Sequence, residues 1–585
     1  MEKIRPMLFT TLKKYSGAQL MSDVVAGIIV AIIALPLSIA LALASGVGPE
    51  QGIYTAIAAG FVISFLGGSQ VQIAGPTAAF ATIVAGIVAK SGMDGLAVAT
   101  ILAGIILILM GFCRFGSLIK FIPFTITTGF TSGIAVTIVI GQLKDFFGVT
   151  YPAGMETIET MQKLKAFAAG FGSVNLHAII VGVVCLAILI VMPMITEKIP
   201  GSLVAVIAGI LMVKFLPLHV NTIGDLYTVS NKLPAFRLPV FSYDVIQGSL
   251  SDAFTIAVLA AIESLLSCVV ADGMIGGKHR SNTELVAQGA GNIISALFGG
   301  IPATGAIART AANVKNGGRT PVAGMVHAVV LLLILVVLMP CASWIPMPTI
   351  AAILFMVAYN MCQWRTFVRL TKTAPKSDIA VLVMTFFLTV IFDLVVAIEI
   401  GMLLSCLLFM KRMSDETGVR SWLYVEEVEE QKRKEQEVRK AKKAGKELSV
   451  EEAQLLAAAA EDEEAAMKEQ ARLREIPREL AVYEITGPLF FGAADRINQI
   501  ETREETKCLV LRMRAVPAVD STAMNSMVAL YERCQKNGVT LILSHVNEQP
   551  MRAMEKAGFV DLVGRENFCR NIEEALDHAD KMLEK

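Results

Sequence analysis

Charge is scarce in this chain. Asp, Glu, Lys and Arg make up 17% of its 585 residues, against about 25% in a soluble globular domain. Together with 54% of AVILMFWYC residues, that shortage excludes a simple soluble enzyme and a disordered chain. Neither sign is in excess, with 51 basic and 51 acidic residues, yet the balance hides a split. Residues 1–412 hold 25 Lys and Arg against 17 Asp and Glu, whereas residues 413–585 hold 26 against 34. No basic patch with interleaved aromatics points to nucleic acid. The nine cysteines are scattered and none forms a CxxC pair, which excludes a disulfide framework and a zinc site. His177, His219 and His327 stand singly, with no partner at metal-ligand spacing. HExxH, P-loop and GxGxxG patterns are absent; Gly276-Gly277-Lys278 lacks the upstream Gly and the Ser/Thr of a Walker A motif. No cofactor, no metal and no enzymatic constellation are expected.

What is present is a series of long apolar runs. A membrane helix needs about 20 mostly apolar residues, fewer where it is broken and buried inside protein. Runs near 24–44, 51–66, 73–90, 95–112, 121–142, 174–194, 201–218, 250–271, 283–299, 304–315, 321–339, 347–361, 378–395 and 397–411 make about fourteen segments. The first run starts at Val24 and lacks a small-residue cleavage site, so it reads as a membrane helix and not a signal peptide. Lys3, Arg5, Lys13 and Lys14, then Arg365, Arg369, Lys372 and Lys376, then Lys411 and Arg412 mark one side of the membrane. The excess of Lys and Arg assigns that side, with both termini, to the cytoplasm.

Residues 413–478 form a charged linker; its part 426–476 is rich in Glu, Lys, Ala and Leu and reads as an exposed, partly helical spacer or a partner helix. Ser449 with Glu452 has capping-box spacing. Residues 479–585 alternate: 480–486, 507–516 and 539–546 are strand-like, and 493–503, 521–537, 549–557 and 571–583 helix-like. That is a small α/β domain.

Ionisable groups inside membrane segments are costly and are functional candidates by default. Glu263 lies in the middle of the eighth segment with Ser264, Ser267 and Asp272 nearby. It either handles substrate, proton or cation, or pairs with Arg309 and holds two helices together. A second candidate is a pair of short interrupted segments, Ala74-Gly75-Pro76-Thr77-Ala78 and Thr304-Gly305-Ala306-Ile307-Ala308-Arg309. Each is the third segment of its half if the halves have seven. Matching broken segments in two halves point to a transporter's site. Two half-helix N-termini aimed at one point bind an anion through unpaired N–H groups and their dipoles. Arg309 adds a fixed positive charge, and Thr77 and Thr304 offer hydroxyls. The alternative is close small-residue helix contact with threonine bonding back to its own helix, which leaves Arg309 unexplained. Asn282 and Glu284 read as caps of the ninth segment, and His279 as an exposed loop residue. In the tail, Asp520-Ser521 precedes a helix; it is an N-cap, or Ser521 is a regulatory phosphosite favoured by the helix N-terminus.

The order of these parts resembles the SulP anion transporter family, whose members carry a C-terminal STAS domain. The resemblance rests on GIIVAIIALPLSIALALASGVGPEQGIYTA, GGSQVQIAGPTAAFATIVA, FTSGIAVTI, the stretch AAIESLLSCVVADGMIGGKHRSNTELVAQGAGNIISALFGGIPATGAIARTAANV, and ITGPLFFGAAD in the tail. It covers the whole chain apart from 426–476, and within the family is most like bacterial members that take up C4-dicarboxylates such as succinate. It implies a transmembrane domain over 1–412, built as two inverted repeats of seven segments. Segments 1–4 and 8–11 would form a core, and 5–7 and 12–14 a gate past which the core moves like an elevator. It implies a homodimer in the bacterial inner membrane and a substrate site around Ala74–Ala78 and Thr304–Arg309. Some members couple to protons through an acidic residue on the first segment. Residues 24–44 carry none, which shifts coupling to Glu263, with proton or sodium as the ion. The STAS domain keeps Asp-Ser at 520–521 but has Ala523 where Gly follows in phosphorylated relatives; a cytosolic regulatory protein is its implied partner. Sulfate or bicarbonate is the alternative substrate, and a membrane sensor signalling through STAS the alternative class.

Overall fold

The computed structural model describes residues 4–117, 123–152, 154–155, 157, 159–195, 200–392, 394–421 and 477–584. The linker expected over 426–476 lies outside them. The chain divides into two compact units, Met1–Ser405 and Cys406–Lys585.

The first unit is helical because hydrocarbon offers no partner for a main-chain N–H or C=O, so each apolar run must satisfy its own. In order it comprises α1 (Leu8–Thr11), α2 (Gly17–Ala44), α3 (Pro49–Leu66), the two-residue strand β1 (Ala74–Gly75), α4 (Ala78–Phe112), α5 (Phe124–Phe147), α6 (Thr160–Gly170), α7 (Leu176–Ile195) and α8 (Gly201–Phe215). There follow α9 (Ile223–Leu226), α10 (Tyr243–Ile275), α11 (Ser281–Leu297), β2 (Thr304–Gly305), α12 (Ile307–Lys315), α13 (Val322–Ala342), α14 (Met347–Cys362), α15 (Trp364–Thr373), α16 (Lys376–Ile391) and α17 (Leu394–Glu416), the last of which begins in the first unit and ends in the second. Each run expected to be a segment contains a helix, and 73–90 and 304–315 open with the strands β1 and β2 before turning helical. The runs 73–90 and 95–112 appear as α4, whose 35 residues are broken at Gly92. Its φ of 67° and ψ of −171° suit only a residue without a side chain.

The helices pack in two groups. In one, α4 lies against α10 and α11, α3 against α11 and α13, and α2 against α13; in the other, α5 lies against α14 and α16, and α7 against α8 and α14. Apolar side chains gain little by leaving lipid for one another, so close approach of backbones carries the packing. At the α4–α11 crossing, a Cβ on Gly104 would stand 2.6 Å from the carbonyl oxygen of Gly289. On α5, Cβ atoms on Gly129 and Gly133 would stand 2.8 Å from the Leu382 carbonyl oxygen and 2.6 Å from the Thr389 Cβ.

The second unit holds a five-stranded sheet, ordered β3 (Gly418–Ser421), β4 (Leu480–Thr486), β5 (Cys508–Ala515), β6 (Thr540–Ser544) and β7 (Phe568–Cys569). The β3–β4 pair is antiparallel and the others parallel. Both faces are covered: Leu509, Leu511 and Leu543 pack with Met527 and Leu530 of the helix Ser521–Lys536, and Leu480, Val510 and Ile542 with Leu576 of the helix Ile572–Leu583. The strands β3 and β7 are too short to show as patterns in sequence. The helix expected over 493–503 shrinks to Asp495–Asn498.

Gly289→Val drives a branched side chain into the α4 backbone. Overpacking of this kind costs about 1–3 kcal/mol. The thermal midpoint of the purified protein should fall well below that of Gly86→Val, since a Cβ on Gly86 meets nothing within 4 Å. Equal midpoints would contradict the packing.

Candidate functional site

The site is built on main chain. β1 and β2 pair antiparallel, Ala74 with Gly305 and Gly75 with Thr304, and the Ala306 N–H extends the pair to the Ile73 carbonyl at 2.9 Å. Extended backbone is tolerated at membrane depth only inside protein, and residues 71–76 and 301–306 are all buried. The ladder is antiparallel, so α4 and α12, which begin just beyond it, leave in opposite directions with their N-termini at the crossing. Neither N-cap residue, Thr77 or Ala306, makes a side-chain capping bond. The first N–H groups of both helices therefore stay available, each end with about half a positive charge.

Arg309, in the first turn of α12, is 3% exposed. Its Nη2 donates to the Pro76 carbonyl and its Nη1 has no partner. It forms no ion pair with a carboxylate among the described residues. An uncompensated buried charge costs several kcal/mol, so this guanidinium calls for an anion. A Cβ on Gly75 would fall on Nη1 of Arg309, so a side chain there would displace the guanidinium.

Glu263 does not pair with Arg309. Its Oε2 accepts from Thr77 Oγ1 at 2.9 Å, which ties the carboxylate to the start of α4. The other hydroxyls of this region serve the frame. Thr304 Oγ1 and Ser264 Oγ lie 2.7 Å apart, and Ser264 Oγ accepts from the Gly305 N–H at 3.1 Å. Thr310 Oγ1 accepts from the Ile73 N–H at 3.0 Å. Thr304, expected to offer a donor to substrate, is fully buried and held by α10. Of the residues expected to bind substrate, Ala74, Gly75, Pro76, Thr304 and Gly305 make the ladder and its flank. Thr77, Ala78, Ala306, Ile307 and Ala308 start the two helices, with Ile307 and Ala308 exposed.

Three sequence expectations change. Asn282 and Glu284 do not cap α11, whose N-cap is Arg280 with no side-chain bond. Asn282 Oδ1 accepts instead from the Gly116 N–H at 3.0 Å. The Glu284 carboxylate receives four N–H donors: Gly68 at 2.8 Å, Ser69 at 3.2 Å, Gln72 Nε2 at 2.8 Å and Gln288 Nε2 at 2.9 Å. It thus holds the loop that leads into β1. Asn292 does the same for the approach to β2, taking the Ala303 N–H at 2.8 Å and donating to the Ala303 carbonyl at 2.9 Å. The first membrane helix does contain a carboxylate, because α2 starts at Gly17 and includes Asp23. Asp23 is buried and accepts from Tyr15 Oη, Gln19 Nε2, the Arg319 and Thr320 N–H groups and Thr320 Oγ1. All its lone pairs are engaged, so it anchors the loop after α12. Burial and then the bond to Asp23 push the Tyr15 hydroxyl up to about 12, so it remains a donor. His279 is not a free loop residue: Nδ1 lies 2.7 Å from Asp272 Oδ2 and Nε2 2.9 Å from Ser281 Oγ.

In the second unit Asp520 is the N-cap of Ser521–Lys536. Its Oδ1 accepts from the Ala523 N–H and its Oδ2 from the Phe491 N–H, both at 2.9 Å. Ser521 stands exposed at the first helical position.

A polytopic helical bundle with two broken helices meeting around a buried cation, followed by a five-stranded α/β unit, defines a membrane anion transporter with a STAS domain. The sulfate permease family model matches residues 20–385 and the STAS domain model residues 470–575; the chain belongs to the sulfate permease family. It is 35% identical over 575 residues to the putative sulfate transporter YvdB of Bacillus subtilis, covering 97% of this chain and 98% of that one. It is 30% identical over 571 residues to the bicarbonate transporter BicA of Synechocystis, covering 96% and 94%. The fold matches murine Slc26a9, an anion transporter solved in an inward-facing state, with TM-score 0.81 at 18% identity over 98% of this chain and 94% of that one. The family and fold are those of transporters, not enzymes.

Glu284→Gln sets an amide N–H against donors that need an acceptor. Losing bonds to a charged group costs about 1.5–3 kcal/mol each. The thermal midpoint should drop and anion uptake with it; a variant as stable and active as the parent would show that the loop before β1 is held by other means.

Proposed function

We propose that this protein is a secondary active transporter of a small inorganic oxyanion, sulfate or bicarbonate, held between the N-termini of α4 and α12 with Arg309 as counter-charge. The observation that carries this reading is the buried Arg309, without a carboxylate partner among the described residues, at a crossing of two uncapped helix ends. The named activities of the two relatives support the same substrate class. A C4-dicarboxylate is the weaker reading. Its two charges sit at separated ends, whereas an inorganic oxyanion gathers its charge on one centre, and Arg309 is the only buried Lys or Arg among the described residues of the first unit.

Glu263 is the coupling group. A carboxylate beside a bound anion repels it, and uptake of a proton or a sodium ion removes that repulsion. Thr77 links the two, since its hydroxyl bonds Glu263 while its main chain opens α4. The group of helices that carries the crossing, α2–α4 and α10–α13, moves as the core past the gate of α5, α7, α8, α14, α16 and α17. The protein acts as a homodimer in the bacterial inner membrane with both termini cytoplasmic. Ser521 is its phosphorylation site, read by a cytosolic partner of the STAS domain.

Uptake of labelled sulfate, bicarbonate and succinate into proteoliposomes, with and without proton or sodium gradients, tests the reading. Sulfate or bicarbonate should accumulate. Arg309→Ala should lower uptake about ten- to a hundredfold, the factor that one charged hydrogen-bonding partner supplies. Succinate uptake alone would restore the dicarboxylate reading, and binding without flux would make the protein a sensor.

Glu263→Gln should leave the protein folded and abolish the dependence of uptake on pH or sodium. Unchanged dependence would remove Glu263 from coupling.

A further inference from the structure

α15 is a helix without a buried residue. Gln363, in the left-handed conformation at φ 44° and ψ 39°, ends α14 and turns the chain into it. A non-glycine residue there is uncommon and marks a sharp change of direction. One face of α15 docks on its neighbours: Thr366, Phe367, Leu370 and Thr371 are half-buried, and the Phe367 ring meets Phe386 of α16 edge-on at 5.4 Å. The rest is exposed and of two kinds. Arg365, Arg369 and Lys372 follow at intervals of four and three, which places them on one stripe about 10 Å long. Beside them lie Trp364 and Val368, 47% and 41% exposed.

Among the described residues the stripe has no carboxylate partner, and the Arg365 guanidinium lies over the neighbouring Trp364 ring, 5.6 Å from its centre. None of Arg365, Arg369 and Lys372 forms an ion pair among the described residues. Arg365 also sits in the first turn of α15, and Lys376 is the first residue of α16. A cation at a helix N-terminus is disfavoured by the dipole, so the helices themselves do not account for these charges. A soluble acidic partner would match the charge but leave Trp364 and Val368 without a place. A bilayer surface matches both, because tryptophan settles at the headgroup level and basic side chains reach the phosphates.

We propose that α15 lies in the headgroup layer and that Arg365, Arg369 and Lys372 bind the phosphates of anionic phospholipids, with Trp364 and Val368 set against the acyl boundary. α15 joins α14 to α16, in the group of helices that does not carry the β1–β2 crossing. On the elevator reading above, the bound lipid anchors the gate against which the core moves. The lipid site itself does not depend on that reading, and its test reads no flux.

Trp364 is a native reporter, since the chain has 3 tryptophans. The full-length protein with Trp344→Phe and Trp422→Phe is reconstituted with brominated phosphatidylglycerol or brominated phosphatidylcholine, each titrated over the same range of mole fractions. Trp364 emission should be quenched by the anionic lipid at a mole fraction at least about fivefold lower, the factor that one basic side chain at a charged surface supplies. Arg365→Gln, Arg369→Gln and Lys372→Gln together should bring the two lipids level. If the tryptophan substitutions impair folding, the lipid retained by the otherwise unaltered protein from mixed phosphatidylglycerol–phosphatidylcholine nanodiscs is weighed against that of the triple variant, and enrichment should be lost. Equal quenching, or equal retention by parent and triple variant, would overturn the proposal.

Discussion

Ala74–Gly75 and Thr304–Gly305 pair in extended conformation inside a bundle of helices, and this short ladder shapes the whole first unit. In a bilayer, main chain that is neither helical nor barrelled must be bonded within protein. Stopping two helices at the same depth therefore requires a built frame. Glu284 holds the loop before β1, Asn292 clamps the approach to β2, and Ser264 and Thr310 tie the ladder to α10 and α12. What the frame presents is chemically simple: two uncapped helix N-termini and one guanidinium.

The electrostatics follow from that frame. Arg309 is held by the Pro76 carbonyl, which satisfies a donor without neutralising the charge. Had Glu263 lain against Arg309, the pair would have cancelled and the crossing would be a structural joint. Glu263 instead accepts from Thr77, so the cation and the carboxylate stand on separate partners and do not neutralise each other. Asp23 and Glu284 are the contrast: each carboxylate is surrounded by donors and works as a clamp.

Much of this was legible in the sequence. Apolar runs located the membrane helices, because in lipid a run of that length has one stable conformation. The Pro-Gly-Thr-Ala openings of two runs located the broken helices. The place of Asp520 before a helical pattern predicts an N-cap, and Asp520 caps Ser521–Lys536. The misreadings share a cause. Glu284 and Asn282 have the spacing of local caps, and nothing nearby in sequence shows that their partners are Gly68, Ser69, Gln72 and Gly116, more than 160 positions away. Asp23 precedes the apolar run and so lies outside the segment that hydropathy marks, although α2 starts six residues before it. Thr304 carries the same hydroxyl as Thr77 but faces Ser264, a difference set by tertiary packing alone.

The account rests on an anion being held where α4 and α12 begin. The direct measurement is a structure of the full-length protein with selenate, whose anomalous signal locates a sulfate-like oxyanion. The account predicts a single peak within hydrogen-bonding reach of the first N–H groups of both helices, with the Arg309 guanidinium turned onto it. A peak elsewhere, with Arg309 still bonded to Pro76 alone, would contradict it.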